Sequence, residues 1–192
     1  MGMFRSFLIG FAVLLSFISA SFTSEAVAGG RSVYTDTDLK YCSLHSKAEE
    51  GEGEWANFIC PGYDGIKVYI SEADLRFSLG YGENGMNQKS FSQRLSPFNT
   101  VGKKMEWRLR HGRPIATILR YYTETGTGGR KGQILVVTKL EGSEACHMAY
   151  VDALANKGAN EIAQSAADRL ASGFSCATDS PVRVGEWGVS AF

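Results

Sequence analysis

The sequence predicts an α+β domain: an antiparallel sheet of about six or seven strands, one C-terminal helix packed on a face of it, and two disulfides. Three observations carry that expectation. Between Ala56 and Val151, short runs rich in β-branched and aromatic residues are bounded by Gly, Pro, Asp or Asn, which is the pattern of strands and hairpins. In "GANEIAQSAADRLASGFSC" the period changes, with Ile162, Ala166 and Leu170 recurring at helical spacing beside Ala163 and Ala167. Four cysteines, Cys42, Cys60, Cys146 and Cys176, then stand in a chain that opens like an exported one.

That opening comes first along the chain. Arg5 supplies a positive start, Phe7 to Ser19 is mostly apolar, and Ala26-Val27-Ala28 is a small-x-small cleavage signal. The apolar run falls short of the roughly 20 residues a spanning helix needs. Ser21, Thr23, Ser24 and Glu25 follow it closely, and no later stretch is apolar enough to span. The expected organisation is a signal peptide at 1–28 and a single α+β domain at 29–192, destined for a periplasm or the cell exterior, with no membrane span once the signal is removed. The 20 basic and 20 acidic residues balance, so nothing in the overall charge argues for nucleic acid or an anionic membrane as partner, and no nucleic acid is expected. Locally they separate: Tyr34 to Glu54 is mainly acidic and Lys103 to Lys131 mainly basic.

Candidate strands are Ala56 to Cys60, Ile66 to Ile70, Leu75 to Tyr81, Met105 to Arg110, Ile115 to Tyr122, Gln133 to Leu140 and Cys146 to Val151. "PGYDG" (Pro61 to Gly65) supplies a fixed φ, permissive glycines and an Asx acceptor for one turn. In "MEWRLRHGRPIATILRYY", a three-residue loop of His111, Gly112 and Arg113 would pair Leu109 with Ile115, Trp107 with Thr117 and Met105 with Leu119, turning Glu106 and Arg108 to the opposite face. The strands Ile115 to Tyr122 and Gln133 to Leu140 are apolar on both faces, so they belong at the centre of the sheet with one face under the helix. Within the helix, Glu161, Gln164 and Asp168 are expected to face outward, Asn160 or Asn156 to cap the start, and Gly173 to close the end in a left-handed conformation. Gln88 to Leu95 reads as a short helix or a loop. The tail at 177–192, which carries Trp187, Val189 and Phe192, is expected to add an edge strand or dock loosely.

The local cysteine pairings are Cys42 with Cys60 and Cys146 with Cys176, each worth roughly 3 kcal/mol in the chain-entropy account. Cys146-His147, with Asp152 nearby, has the residue types of a nucleophile, base and orienter. Strand alternation would put Cys146, Met148, Tyr150 and Asp152 on one side and His147, Ala149 and Val151 on the other, which separates the nucleophile from its base. A bridged cysteine also has no thiolate to offer. Cys42 and His45 at C-x-x-H spacing are a weak zinc signal, and no metal or other cofactor is expected. Gly80, Gly82 and Gly85 satisfy G-x-G-x-x-G but lack the βαβ context of a dinucleotide site. No catalytic residue is assigned. The candidate binding cluster is Arg108, Arg110, Arg113 and Arg120; its bland alternative is a solvated strand face turned to the acidic segment Lys47 to Glu54.

The stretches "CPGYDGIKVYISEADLR", "PFNTVGKKMEWRLRHGRPIATILRYY" and "CHMAYVDALANKGANEIAQSAADRLASGFSC" resemble a group of small exported proteins of Gram-negative bacteria with no assigned activity. The resemblance implies secretion and one domain, and it carries over no site residues. The function expected from the residues is a non-enzymatic periplasmic or secreted binding protein, engaging a protein or an anionic envelope component through the basic hairpin. The alternatives are an envelope hydrolase whose site assembles only in the fold, and an inhibitor of a cell-wall lytic enzyme.

Overall fold

A computed structural model describes residues 1–2, 30–125 and 129–188. The expected signal segment from residue 3 onward and its cleavage point lie outside the described residues, as do Val189 and Phe192 of the tail. The strands are β1 (Arg31–Asp36), β2 (Ser43–Lys47), β3 (Trp55–Pro61), β4 (Lys67–Ala73), β5 (Arg76–Tyr81), β6 (Phe98–Arg110), β7 (Arg113–Glu124), β8 (Lys131–Glu141), β9 (Glu144–Asp152) and β10 (Val182–Arg183). The helices are a single turn, α1 (Lys89–Ser92), and α2 (Ala159–Leu170).

The strands form two sheets rather than one. Six run in the order β1-β6-β7-β8-β9-β10 and four in the order β2-β3-β4-β5. Alternation along a strand reports which side is apolar but not which neighbour it joins, so the division is visible only once the strands pair. The apolar faces of the two sheets meet in one core, where Val68, Ile70, Leu79 and Tyr81 pack on Met105, Trp107, Leu119, Ile134 and Val136. Two of its polar groups are paired within it: Trp107 Nε1 donates to Thr35 Oγ1 of the adjoining β1 at 2.8 Å, and Thr117 Oγ1 donates to the Tyr81 hydroxyl of the facing sheet at 2.8 Å. On the far face of the six-stranded sheet a second core is formed by Ile118, Leu135, Val137, Met148 and Val151 against Ala159, Ala163, Ala166 and Ala167 of α2. The strands expected to lie centrally, β7 and β8, are indeed covered on both faces.

Two disulfides are formed, one within the four-stranded sheet and one between the six-stranded sheet and the chain that follows α2. Cys42–Cys60 ties the start of β2 to β3, and Cys146–Cys176 ties β9 to the chain leaving α2; no cysteine is free. Lys89 Nζ adds a bond of 2.7 Å to the Cys176 carbonyl, and the buried Lys139 Nζ donates to the Phe174 carbonyl. The tail is held through Gly188: β10 pairs parallel with β9, and Asp152 Oδ2 accepts from Gly188 N–H at 2.9 Å.

Several local expectations change for identifiable reasons. The β6–β7 hairpin has a two-residue turn, His111-Gly112, with φ of 50° and 77°, the left-handed pair that matches strand twist. Trp107 pairs with Thr117 and Met105 with Leu119, as expected. Leu109 faces Pro114 instead of Ile115, because Ile115 is an extra, bulged residue that corrects the register of the shorter turn. β9 carries a second bulge at Met148: Thr138 pairs with His147 and Val137 with Ala149. Alternation inverts there, so Tyr150 stands with His147 and not with Cys146. The first residue of α2 follows Gly158, with no side-chain cap from Asn156 or Asn160, and Gly173 is not left-handed.

Gln164 and Asp168 do not face outward. The alanine stripe lets α2 approach the sheet so closely that both reach the charged residues beneath it. Arg108 Nε donates to Asp168 Oδ1 at 3.1 Å and its Nη2 to Oδ2; Gln164 Nε2 donates to Glu106 Oε1 at 2.9 Å. Ser32 of β1 donates to Glu106 and accepts from Arg108, and Gly30 N–H donates to Asp168 Oδ2 at 2.9 Å. The Arg108 and Asp168 side chains are 6% and 11% exposed. Truncating Asp168→Ala would leave the buried Arg108 with Glu106, 3.7 Å away, as its remaining counter-charge and with its Nε and Nη2 unpaired, and a loss of about 3 kcal/mol is expected in urea denaturation.

Candidate functional site

The four arginines of the expected binding cluster are mostly engaged inside the molecule. Arg108 lies under α2 as described. Arg110 Nη2 donates to the Asp168 carbonyl, and Arg120 reaches Gln133 Oε1 at 2.9 Å and Asn160 Oδ1 at 3.0 Å. Arg113, beside the exposed hairpin turn, makes no such contact among the described residues. The partners of the other three come from α2, β8, Ser32 of β1 and Glu106 of β6, and none belongs to the acidic segment Lys47 to Glu54.

Cys146, His147 and Asp152 do not converge. Cys146 is bridged in the helix-side core. His147 points into the other layer, where its Nδ1 lies 3.0 Å from the Tyr150 hydroxyl and its ring meets Tyr150 edge-on. Gln93 Oε1 accepts from its backbone N–H at 2.7 Å. Burial pushes the His147 imidazole down to about 3, so it stays neutral where a general base works. Asp152 accepts from the N–H groups of Leu154, Ala155 and Gly188, which makes it a turn and tail anchor. Among the described residues, no three His, Cys, Asp or Glu side chains are grouped so as to hold a metal ion. The glycines of the G-x-G-x-x-G run serve a close fold-back: a Cβ on Gly80 would lie 1.9 Å from the Gly85 carbonyl oxygen, and one on Gly85 would strike the Tyr69 ring.

The feature best suited to binding is a groove of about 810 Å³ that runs from the β4–β5 hairpin across the start of β6 and the end of β7 to the start of β8 and Leu154. Asn99 of β6 holds the β5 side beneath it: its side-chain Oδ1 accepts from Phe77 N–H at 3.0 Å, and its backbone N–H donates to the Leu75 carbonyl at 2.9 Å. Phe77 and Phe98 are half-buried in the floor. Leu75, Tyr122 and Leu154 are 61%, 46% and 55% exposed at its margins, a concentration of large apolar side chains in water that a lone surface residue does not represent.

Leu75 is the least ordinary of them. The β4–β5 turn is Asp74-Leu75, with φ of 53° and 57°. Asp, Asn and His tolerate that region, as Asp64 and His111 do here, but a leucine in it crowds its Cβ against its own carbonyl. Neighbours hold the turn in place: Arg76 Nη1 donates to the Asp74 carbonyl at 2.9 Å and its Nε to the Ser96 carbonyl at 3.0 Å, and its guanidinium lies over the Phe98 ring. The chain thus spends conformational energy to present an apolar side chain to solvent. Backbone strain of this kind gathers at binding and switching sites. Sequence reasoning placed Leu75 at the start of a strand, and the signal that identifies it is its torsion angle, which composition does not encode.

No family model matches the chain, and neither the curated proteins nor the solved structures searched contain a match.

Leu75→Gly relieves the left-handed strain while forfeiting little packing, and melting of dilute protein is expected to show no loss of stability and a gain of up to about 1 kcal/mol. The acid side of the stability curve follows from two groups. Native His147 resists protonation down to about pH 3 while the unfolded chain takes up the proton near 6.5, so the unfolded state binds more protons between them and stability falls as pH drops through that window. Burial works against the Asp168 carboxylate, but the Arg108 hydrogen bonds, the Gly30 N–H and the charges of Arg108 and Arg110 outweigh it and hold its pKa below the usual range. Its contribution is therefore complete above the unfolded carboxylate value and is lost as pH falls through the lowered one. Urea midpoints of His147→Gln should lose the decline from about pH 6.5 to about pH 4 and keep the more acidic part.

Proposed function

We propose that this chain is a non-enzymatic protein of the periplasm or cell exterior that acts by protein–protein contact through the groove face. The observation that carries the reading is the exposed leucine in a left-handed turn at the margin of an apolar groove. A partner would gain apolar burial from Leu75, Tyr122 and Leu154, the kind of aromatic and aliphatic cluster around which interface energy concentrates. The compartment is supported by the export-like first residues, by the resemblance to small exported proteins, and by four cysteines in two disulfides, which persist in oxidising surroundings. The basic hairpin is a weaker contact surface than its sequence suggests, because Arg108, Arg110 and Arg120 are occupied in holding α2 and β8. A non-catalytic role is favoured by the separate engagement of Cys146, His147 and Asp152, each with a structural partner.

A photo-crosslinking amino acid placed at Tyr122, and in a parallel sample at Arg113, tests the surface in the native envelope. The expected result is a protein adduct at position 122 that disappears when Leu154 is changed to Ser, with little or none at 113. Adducts confined to position 113 would return the contact to the hairpin and overturn the groove.

A further inference from the structure

The tip of the fold-back between Gly80 and Gly85 sets two residues side by side that can react with each other. Asn84 precedes Gly85, and the chain's other asparagines, Asn57, Asn87, Asn99, Asn156 and Asn160, all precede residues with side chains. The backbone nitrogen that follows an asparagine can attack its side-chain carbonyl, and a side chain on the following residue shields that nitrogen. Glycine gives no such shield. The fold holds position 85 to glycine, since a Cβ there would lie 2.5 Å from Tyr69 Cδ2 and 2.9 Å from the Gly80 carbonyl carbon. Asn84 itself is exposed. Its Oδ1 accepts from Asn87 Nδ2 at 2.9 Å, while its own Nδ2, the group that would leave, has no acceptor among the described residues.

We infer that Asn84 is a site of spontaneous conversion to aspartate and isoaspartate. The Gly85 nitrogen gives up its proton to water or hydroxide and bonds Asn84 Cγ; the Cγ–Nδ2 bond breaks, and Nδ2 leaves with a proton as ammonia. Water then opens the resulting five-membered imide. Opening at the side-chain carbonyl gives aspartate, and opening at the backbone carbonyl gives isoaspartate, whose chain runs through Cβ and Cγ and is one atom longer. At the ψ of 17° held by Asn84 the ring cannot close, because Cβ and the Gly85 nitrogen must first swing to the same side of the Cα–C bond. The step therefore runs through opening of the turn. Two of the bonds that resist opening are long: Gly85 N–H reaches the Gly82 carbonyl at 3.4 Å, and Gln88 N–H the Gly85 carbonyl at 3.3 Å. Asn87 N–H to the Asn84 carbonyl, at 3.0 Å, is of ordinary length. A short exposed turn held in this way opens far more often than the core unfolds.

The two products have different consequences. Aspartate keeps the backbone and suits the exposed position. Isoaspartate must fit its extra atom where Gly85 lies against Gly80 and the Tyr69 ring, and there is no room for it. Gly85 is displaced, and with it Gln88, three residues on. Gln88 closes the outer edge of β5: its Oε1 accepts from Tyr81 N–H and its Nε2 donates to the Tyr81 carbonyl, both at 2.8 Å, and Nε2 also donates to the Ser143 carbonyl at 2.7 Å. A change of one atom at the surface thus releases a buried strand edge. This inference is independent of the groove reading.

The purified chain held at mildly alkaline pH, where the Gly85 amide loses its proton more readily, is compared by mass spectrometry with a sample unfolded in urea. The expected result is the mass gain of an amide-to-acid exchange at Asn84 in both, slower in the folded chain, and none in Asn84→Ser, which retains Gly85. In the isoaspartyl fraction, separated by chromatography, amide exchange at Tyr81 should be about tenfold or more faster than in Asn84→Asp, which should match the parent. A folded chain that keeps Asn84 intact after the unfolded chain has converted overturns the site. An isoaspartyl fraction whose Tyr81 amide exchanges like that of Asn84→Asp overturns the release of β5.

Discussion

The ion pair between Arg108 and Asp168 is the contact on which the arrangement of this fold turns. Its two groups come from β6 and α2, and they are buried where an unpaired charge would be costly, so the helix has one acceptable seat on the sheet. The pair is extended by hydrogen bonds to Ser32 of β1 and to the backbone of Gly30, and Gln164 brings Glu106 into the same network. One polar cluster thereby joins the first strand, the longest strand and the helix. It requires a helix face small enough to let charged side chains meet across the interface, and Ala159, Ala163, Ala166 and Ala167 provide it. The same demand engages Arg108 and Arg110 inside the molecule, which leaves the hairpin a less basic surface than its sequence suggests.

The groove has the opposite character. Its walls are made by backbone that is well fixed: Asn99 bonds two groups of β5 and the turn, and Arg76 clamps Asp74 and Ser96. The side chains it presents are apolar and free. Rigid backbone with uncommitted apolar side chains lowers the ordering cost of association, because little remains to be immobilised when a partner arrives. A leucine held at positive φ fits that description, since its direction is determined by the turn and not by packing of its own side chain.

Much of the fold was legible in the sequence because it follows from periodicity. The seven expected strands correspond to β3 to β9, the helix to α2, and both disulfides join the nearest cysteines. The two-sided apolar character of β7 and β8 predicted their central position correctly. What escaped are elements whose sequence is ordinary. β1, "RSVYTD", and β2, "SLHSK", have short and mixed patterns, and each becomes a strand by pairing with a long neighbour. The bulges at Ile115 and Met148 add a single residue with no local signature, yet each inverts the faces of everything beyond it; this is how Tyr150 came to join His147.

By itself the sequence determined the local units: where chain direction reverses, which segments alternate, which stretch is helical and which cysteines are close enough to bridge. These depend on steric and hydrophobic preferences acting over a few residues. Only the tertiary structure decided that the strands divide into two sheets, that Arg108 belongs to a buried pair and Asp168 to its underside, and that Leu75 stands strained and exposed beside Phe98, Tyr122 and Leu154. Those outcomes depend on groups far apart in the chain meeting in space. Charge, apolarity and strain acquire functional meaning only from what stands opposite them.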